Sequence, residues 1–292
     1  MTVRDIFPNA AARAQLAASG LADFAALWSL DTDWHEAPNE RRGGWSGVSR
    51  HVLEDGTAIF LKRQENHLCR TWRHPLRGIP TFYREYLNIR RLQEHAIGAV
   101  EALYYGDRLA AGKWRAILVT RALDHSLSLD EWETAADRGD PLLRRSLIRA
   151  VALACARLHH HRLQHSCLYG KHLFVRRSPA AGPDYQEADV RFIDLEKLRL
   201  GLSRERVGAH DLDQLMRHTQ GWGDDDRACF SLSLPAAARR LEGITGSVPR
   251  ARRVAFRRRR NSPARASVRR PRATGATPDR SPHTRRYPDC VP

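Results

Sequence analysis

Hydrophobic and polar positions along the chain change period several times, and each change marks an element. Residues 9–30 keep helical spacing but break at Ser19-Gly20, which predicts two short helices. Residues 45–53 and 57–64 read as strands joined at Glu54-Asp55-Gly56, where Asp-Gly is a strong hairpin signal. A basic loop is expected over 66–80, with Arg70, Arg73 and Arg77 around Trp72. Phe82, Tyr86, Ile89, Leu92 and Ala96 then recur at three- and four-residue steps, the pattern of an amphipathic helix. Residues 102–108 and 114–123 predict two more strands, turning at Ala111-Gly112.

The second half reads differently. Ser128-Leu-Asp-Glu131 is a capping-box sequence that starts a helix at Leu129. Asp140-Pro141 starts another, and Leu143, Leu147, Val151, Cys155 and Leu158 keep helical spacing to His159. Strands are expected over 172–176 and 190–195, and a helix over 210–218. The class is α+β: a small antiparallel sheet carrying one helix, then a mostly helical half with one hairpin. No internal repeat is present.

Composition narrows this picture. The chain has 292 residues, 42% hydrophobic and 28% charged, which excludes disorder of the whole chain. Its formal charge of +16 would suit a nucleic-acid binder. Residues 248–292, however, hold 14 Arg, no Lys and two Asp, leaving 35 basic against 31 acidic groups in the first 247. That tail carries seven of the 15 prolines and few large apolar residues, so it is expected to be disordered. A nucleic-acid or phospholipid-binding arm, a solubilising tail and codons read in a shifted frame each account for it. Nucleic acid is not an expected partner of the body. Cys69, Cys155, Cys167, Cys229 and Cys290 are scattered with no CxxC pair, which suits a reducing cytoplasm. Residues 1–30 lack a basic start followed by an apolar core, so no secretory signal is expected. The most apolar stretch, 147–158, is interrupted by Arg149 and Arg157 and is too short to span a bilayer.

Candidate chemistry lies on particular residues. Lys62 ends the apolar run from Ala58 on the strand face of Ala58 and Phe60, and a half-buried lysine needs an anion. Glu85 borders the apolar stripe of the next helix, so the two can satisfy one another. The alternative is a lysine snorkelling to the edge and an exposed glutamate. Gly43, Gly44 and Gly47 open the first strand, where glycines either cradle a phosphate or mark a turn. His159, His160, His161, His165 and His172 lack an acidic partner for a metal-hydrolase motif and read as a helix ending in solvated histidines. Asp194 closes the 190–193 strand, suited either to a hard cation such as Mg²⁺ or to capping a turn. Asp211 and Asp213 open the next helix and favour its dipole.

Glycine loop, strand lysine, helix glutamate, polar loop after a long helix, hairpin and aspartate follow the order of the protein-kinase fold. The stretches 42–49, 60–64, 80–85, 116–120 and 165–175 resemble the lipopolysaccharide kinase family, in particular its InaA branch, related to the WaaP heptose kinases and the Kdo kinases. The resemblance covers about residues 9–222. It implies a two-lobed protein-kinase-like fold, with a helical extension over 1–30, an N-lobe over 31–123, a C-lobe over 124–247 and the tail over 248–292. Lys62 would hold the ATP phosphates and pair with Glu85, Thr120 would begin the hinge contacting adenine, and Asp194 would ligate Mg²⁺. Asp211 would steady the catalytic loop. One departure stands out. Cys167 occupies the place of the catalytic aspartate and His172 that of a metal-binding asparagine, with His165 opening the loop. A thiol is no carboxylate, although His165 or His172 could assist it.

The expected activity is ATP-dependent phosphate transfer to a hydroxyl of a lipopolysaccharide core sugar or related glycolipid, in the cytoplasm with peripheral contact at the inner membrane. The alternative is a pseudokinase acting through nucleotide or protein binding.

Overall fold

The computed structural model describes residues 3–41, 43–71, 74–132, 140–180, 183–219 and 221–246. These lie in one unit, Met1–Pro249. The expected Arg/Pro-rich tail lies outside the described residues.

A six-stranded antiparallel sheet runs in the order β1-β7-β8-β4-β3-β2. Its strands are β1 Arg4–Ile6, β2 Trp34–Arg41, β3 Gly44–Val52, β4 Ala58–Glu65, β7 Ala102–Ala110 and β8 Lys113–Arg121. The β3–β4 turn forms as expected, with Gly56 at φ +80°. Strand β8 is buried on both faces, which explains its unbroken apolar run Ala116-Ile-Leu-Val119. Ala116 and Leu118 meet α3 (Thr81–Glu94) through Phe82, Tyr86, Ile89 and Leu92. Ile117 and Val119 face the other way, onto α1 (Ala10–Ala18) and α2 (Phe24–Ser29).

The N-terminal residues are therefore part of the sheet's packing rather than a helical extension alone. Asn9 and Asp23 cap the two helices by accepting from the backbone N–H of Ala12 and Ala26. Strand β1 pairs with β7. Arg63, pointing from β4 to the same side, donates to the carbonyls of Trp28 (3.1 Å) and Leu30 (2.9 Å). Neither β1 nor β2 was legible in the pattern. Strand β2 carries Pro38 and three charged residues, a composition tolerated only because it sits at the sheet edge. The expected basic loop over 66–80 is instead largely a hairpin, β5 (Leu68–Thr71) paired with β6 (His74–Pro80). Trp72 and Arg73 lie outside the described residues.

The second lobe is built on α5 (Pro141–His160), capped by Asp140 and buried through Leu147, Val151, Cys155 and Leu158. Each aliphatic side chain fully removed from water there contributes about 1.5–3 kcal/mol. Around α5 pack α6 (Arg204–His218) and α7 (Asp224–Gly246). Helix α6 begins earlier than the pattern suggested. Helix α7 was not anticipated, since Pro235 interrupts it and its buried Phe230, Ala237 and Leu241 recur sparsely. The short α4 (Leu129–Trp132) begins with the expected capping box: Glu131 accepts from Ser128 N–H at 2.8 Å and Ser128 Oγ from Glu131 N–H at 3.2 Å. A three-stranded sheet joins β9 (Ser126–Ser128), β11 (Leu173–Arg176) and β12 (Val190–Phe192), and β10 (Leu163–Gln164) pairs with β13 (Arg199–Leu200).

The linker leaving α3 lies against β12. Phe192 N–H donates to Gly98 O at 3.0 Å and Val100 N–H to Phe192 O at 3.1 Å. A Cβ on Gly98 would sit 2.1 Å from Val190 O, an approach only glycine permits. We expect Gly98→Ala to lower stability by about 1–3 kcal/mol in denaturant melts, as overpacking does. The exposed Leu142→Ala control should stay within about 0.5 kcal/mol.

Beside this linker, the His95 and His161 rings at the ends of α3 and α5 stack with centroids 4.0 Å apart. Burial, then His95, His160, Arg157 and Arg204, push His161 down to about 4. A group that resists a proton only when folded contributes stability that is complete above its unfolded value of 6.5 and lost as pH falls toward 4. The thermal midpoint should drop across that window, and His161→Gln should flatten the drop.

Candidate active site

Lys62 projects from β4 on the face covered by α3, the face opposite Leu61 and Ile59. Its Nζ lies 2.7 Å from Glu85 Oε1, and the Glu85 side chain is 2% exposed. The structure thus brings the two together, and neither snorkels. Burial opposes the lysine's charge, but Glu85 more than offsets it, holding Lys62 above the usual lysine pKa. Gln64, two residues on and on the same face, fixes the start of α3. Its Oε1 accepts from Thr81 Oγ1 (2.7 Å) and Phe82 N–H (3.1 Å).

The glycines stand where β2 turns into β3. Gly43 has φ +74° with open space around its Cα. Gly44 and Gly47 have packing reasons of their own. A Cβ would meet Glu65 O at 2.5 Å in the first and the Trp34 ring at 2.7 Å in the second. Thr120 is buried on β8 opposite Phe60.

The polar loop after α5 is held from below. Asp211, fully buried in the middle of α6 and not at its start, accepts from His165 N–H (2.7 Å) and Ser166 N–H (2.9 Å). His159 Nε2 lies 3.2 Å from the same carboxylate. Burial opposes the Asp211 charge, yet these partners keep its pKa below the ordinary value. His165 Nε2 donates to Ile193 O at 3.0 Å, and burial lowers this ring's pKa, so it stays neutral. The expectation of solvated histidines is overturned: His159, His165 and His172 are all buried and bonded, because Asp211 on α6 and the carbonyls of Ile193 and Cys167 supply their partners.

Asp194 lies two residues beyond β12, not on its face. Its backbone is left-handed (φ 55°, ψ 55°), and it caps a 3₁₀ turn, Leu195–Lys197. That conformation turns a carboxylate 42% exposed toward His172, whose Nε2 is 3.4 Å from Asp194 Oδ2. His172 Nδ1 donates to Cys167 O at 2.7 Å. Cys167 Sγ faces Lys197 Nζ at 3.7 Å. Sequence reading missed Lys197, which lies in a charged turn without periodicity. Hard oxygen donors suit Mg²⁺, and a single carboxylate supplemented by phosphate oxygens is a familiar way to hold it. Asp194 fits that chemistry, while an imidazole nitrogen is better matched to softer metals. Among the described residues no cluster of three acidic, histidine or cysteine ligands forms a closed metal cage.

With this geometry in view, the family is defined. The model of the lipopolysaccharide kinase (Kdo/WaaP) family matches residues 25–232, and the chain belongs to that family. It is similar to Protein InaA of Escherichia coli (strain K12), 33% identical over 201 residues that cover 68% of this chain and 88% of that protein. Among solved structures it is similar to WaaP in complex with acyl carrier protein. The TM-score is 0.57 at 22% identity, over 83% of this chain and 94% of that one. The two-lobed, protein-kinase-like α+β fold follows.

Asp211→Ala should cost about 3 kcal/mol or more in denaturant melts, because it strands two buried N–H groups and the His159 ring. A change under about 1 kcal/mol would show that the loop does not depend on this carboxylate.

Proposed function

We propose that the protein transfers the terminal phosphate of ATP to a hydroxyl of a lipopolysaccharide core sugar or a related glycolipid. The observation that carries this reading is the Lys62–Glu85 pair at 2.7 Å, near enough to Asp194 for that carboxylate to favour the lysine's charge as well. Lys62 binds and orients phosphate oxygens, with Glu85 holding its ammonium in place. The turn at Gly43 that enters β3 offers backbone N–H to the phosphates, and Thr120 begins the segment that borders the base. Asp194 would hold Mg²⁺, which when bound supplies charge neutralisation on the phosphates; His172 orients the Asp194 carboxylate. Because phosphoryl transfer proceeds through a loose transition state, placement and charge carry most of the catalysis and a weak base suffices. Cys167 and His165 stand at the acceptor side, with Lys197 adding positive charge beside the thiol. No helix among the described residues is long and apolar enough to cross a membrane. In this reading a glycolipid acceptor is met at the inner-membrane surface, from the cytoplasm.

Cys167 favours a second reading, a pseudokinase that binds nucleotide without transferring phosphate. Incubation with Mg-ATP and core lipopolysaccharide separates the two. Transfer should be detected and should fall at least about a hundredfold in both Lys62→Ala and Asp194→Ala, roughly 2.7 kcal/mol of transition-state stabilisation. Tight ATP binding with no transfer to any core acceptor would sink the kinase reading in favour of the second.

A further inference from the structure

Asn88 lies one helical turn beyond Glu85 on α3 and is buried among the helix's apolar contacts. Both of its amide hydrogens are engaged. Nδ2 donates to Leu195 O at 2.7 Å and to Leu198 O at 3.0 Å, the carbonyls at the two ends of the 3₁₀ turn that Asp194 caps. Its Oδ1 accepts from Arg91 Nη1 at 3.3 Å. Arg84, beside Glu85 in sequence, adds a longer bond to Lys197 O at 3.4 Å. Helix α3 is thus tied at three levels: to β4 by Gln64 at its start, to Lys62 by Glu85, and to the Asp194–Lys197 turn by Asn88.

We infer that Asn88 is a positioning residue that registers Asp194 and Lys197 against Lys62. The chemistry selects an amide. A carboxylate there would set lone pairs against two carbonyl oxygens, and an apolar side chain would take a donor from each, leaving Leu195 O only the Leu198 N–H at 3.2 Å. The bonds span 107 and 110 residues and, with the longer and more exposed Arg84 bond, link the glutamate helix directly to the turn bearing Asp194 and Lys197. Asp194 needs such support. A non-glycine residue with a left-handed backbone persists only where its surroundings hold it. The inference rests on the proposed ATP reading only where it assigns a consequence for metal-bound nucleotide.

The test compares full-length wild type with Asn88→Leu, similar in volume, and Asn88→Gln, which keeps an amide. Hydrogen exchange is followed over residues 193–200 and, as a control, over β4. Exchange at 193–200 should quicken at least tenfold in Asn88→Leu, with β4 unchanged and partial recovery in Asn88→Gln. In titrations, Mn²⁺-ATP affinity should weaken at least tenfold, while ATP affinity in chelator should change less than threefold. Equal loss of both affinities, or quickened exchange in β4 as well, would overturn the inference and make Asn88 a general packing residue; so would unchanged exchange at 193–200. If wild type binds no ATP at all, the proposed function fails, and exchange confined to 193–200 still upholds the positioning role.

Discussion

Two opposite charges, one almost fully buried and the other mostly so, set the terms for the rest of the molecule. Lys62 and Glu85 approach to 2.7 Å between a strand and a helix, and neither is tolerable there without the other. Removing one partner of such a pair typically costs about 3–5 kcal/mol, since the survivor is left buried and uncompensated. The pair therefore constrains α3 to a fixed height and rotation over the sheet. Gln64 at the helix start and the apolar stripe Phe82, Tyr86, Ile89 and Leu92 enforce the same placement. One geometry satisfies charge, hydrogen bonding and packing together.

The second lobe solves a related problem with a different residue. A loop of polar backbone passes through the interior between α5 and β11, and its N–H groups need acceptors. Asp211 supplies them from α6, and the same carboxylate anchors His159 at the end of α5. With the loop so fixed, Cys167, His172 and Asp194 fall within one network, and Lys197 reaches the thiol from the turn beyond. Cys167 removes the strongest proton acceptor expected of this loop but leaves the surrounding positive charge in place. Under the proposed function, that suits a reaction governed by placement more than by proton abstraction.

Much of this was legible along the chain because it is local. The β3–β4 hairpin follows from Asp55-Gly56, α3 from its three-and-four spacing, and α5 from Asp140-Pro141. Glu85 could be singled out because a charge beside an apolar stripe calls for a partner. Asn88, three residues on, carried the same kind of signal. Strand β2 and helix α7 were missed because Pro38 and Pro235 contradict the local rule, and tertiary packing overrode it. Lys197, on a charged turn, carried no local signal of its role.

By itself, then, the sequence determined the elements with a local signal, such as the β3–β4 hairpin, α3 and α5, and the residue types available at each loop. Those choices depend on neighbours three or four positions away, whose geometry the backbone imposes. Tertiary structure decided which carboxylate meets which cation and which carbonyl an amide reaches. Asp211 and His165 are 46 residues apart, and Asn88 and Leu195 are 107. Bonds over such separations form only after the apolar faces have packed, when water leaves and each buried polar group must find the partner that the closed fold provides.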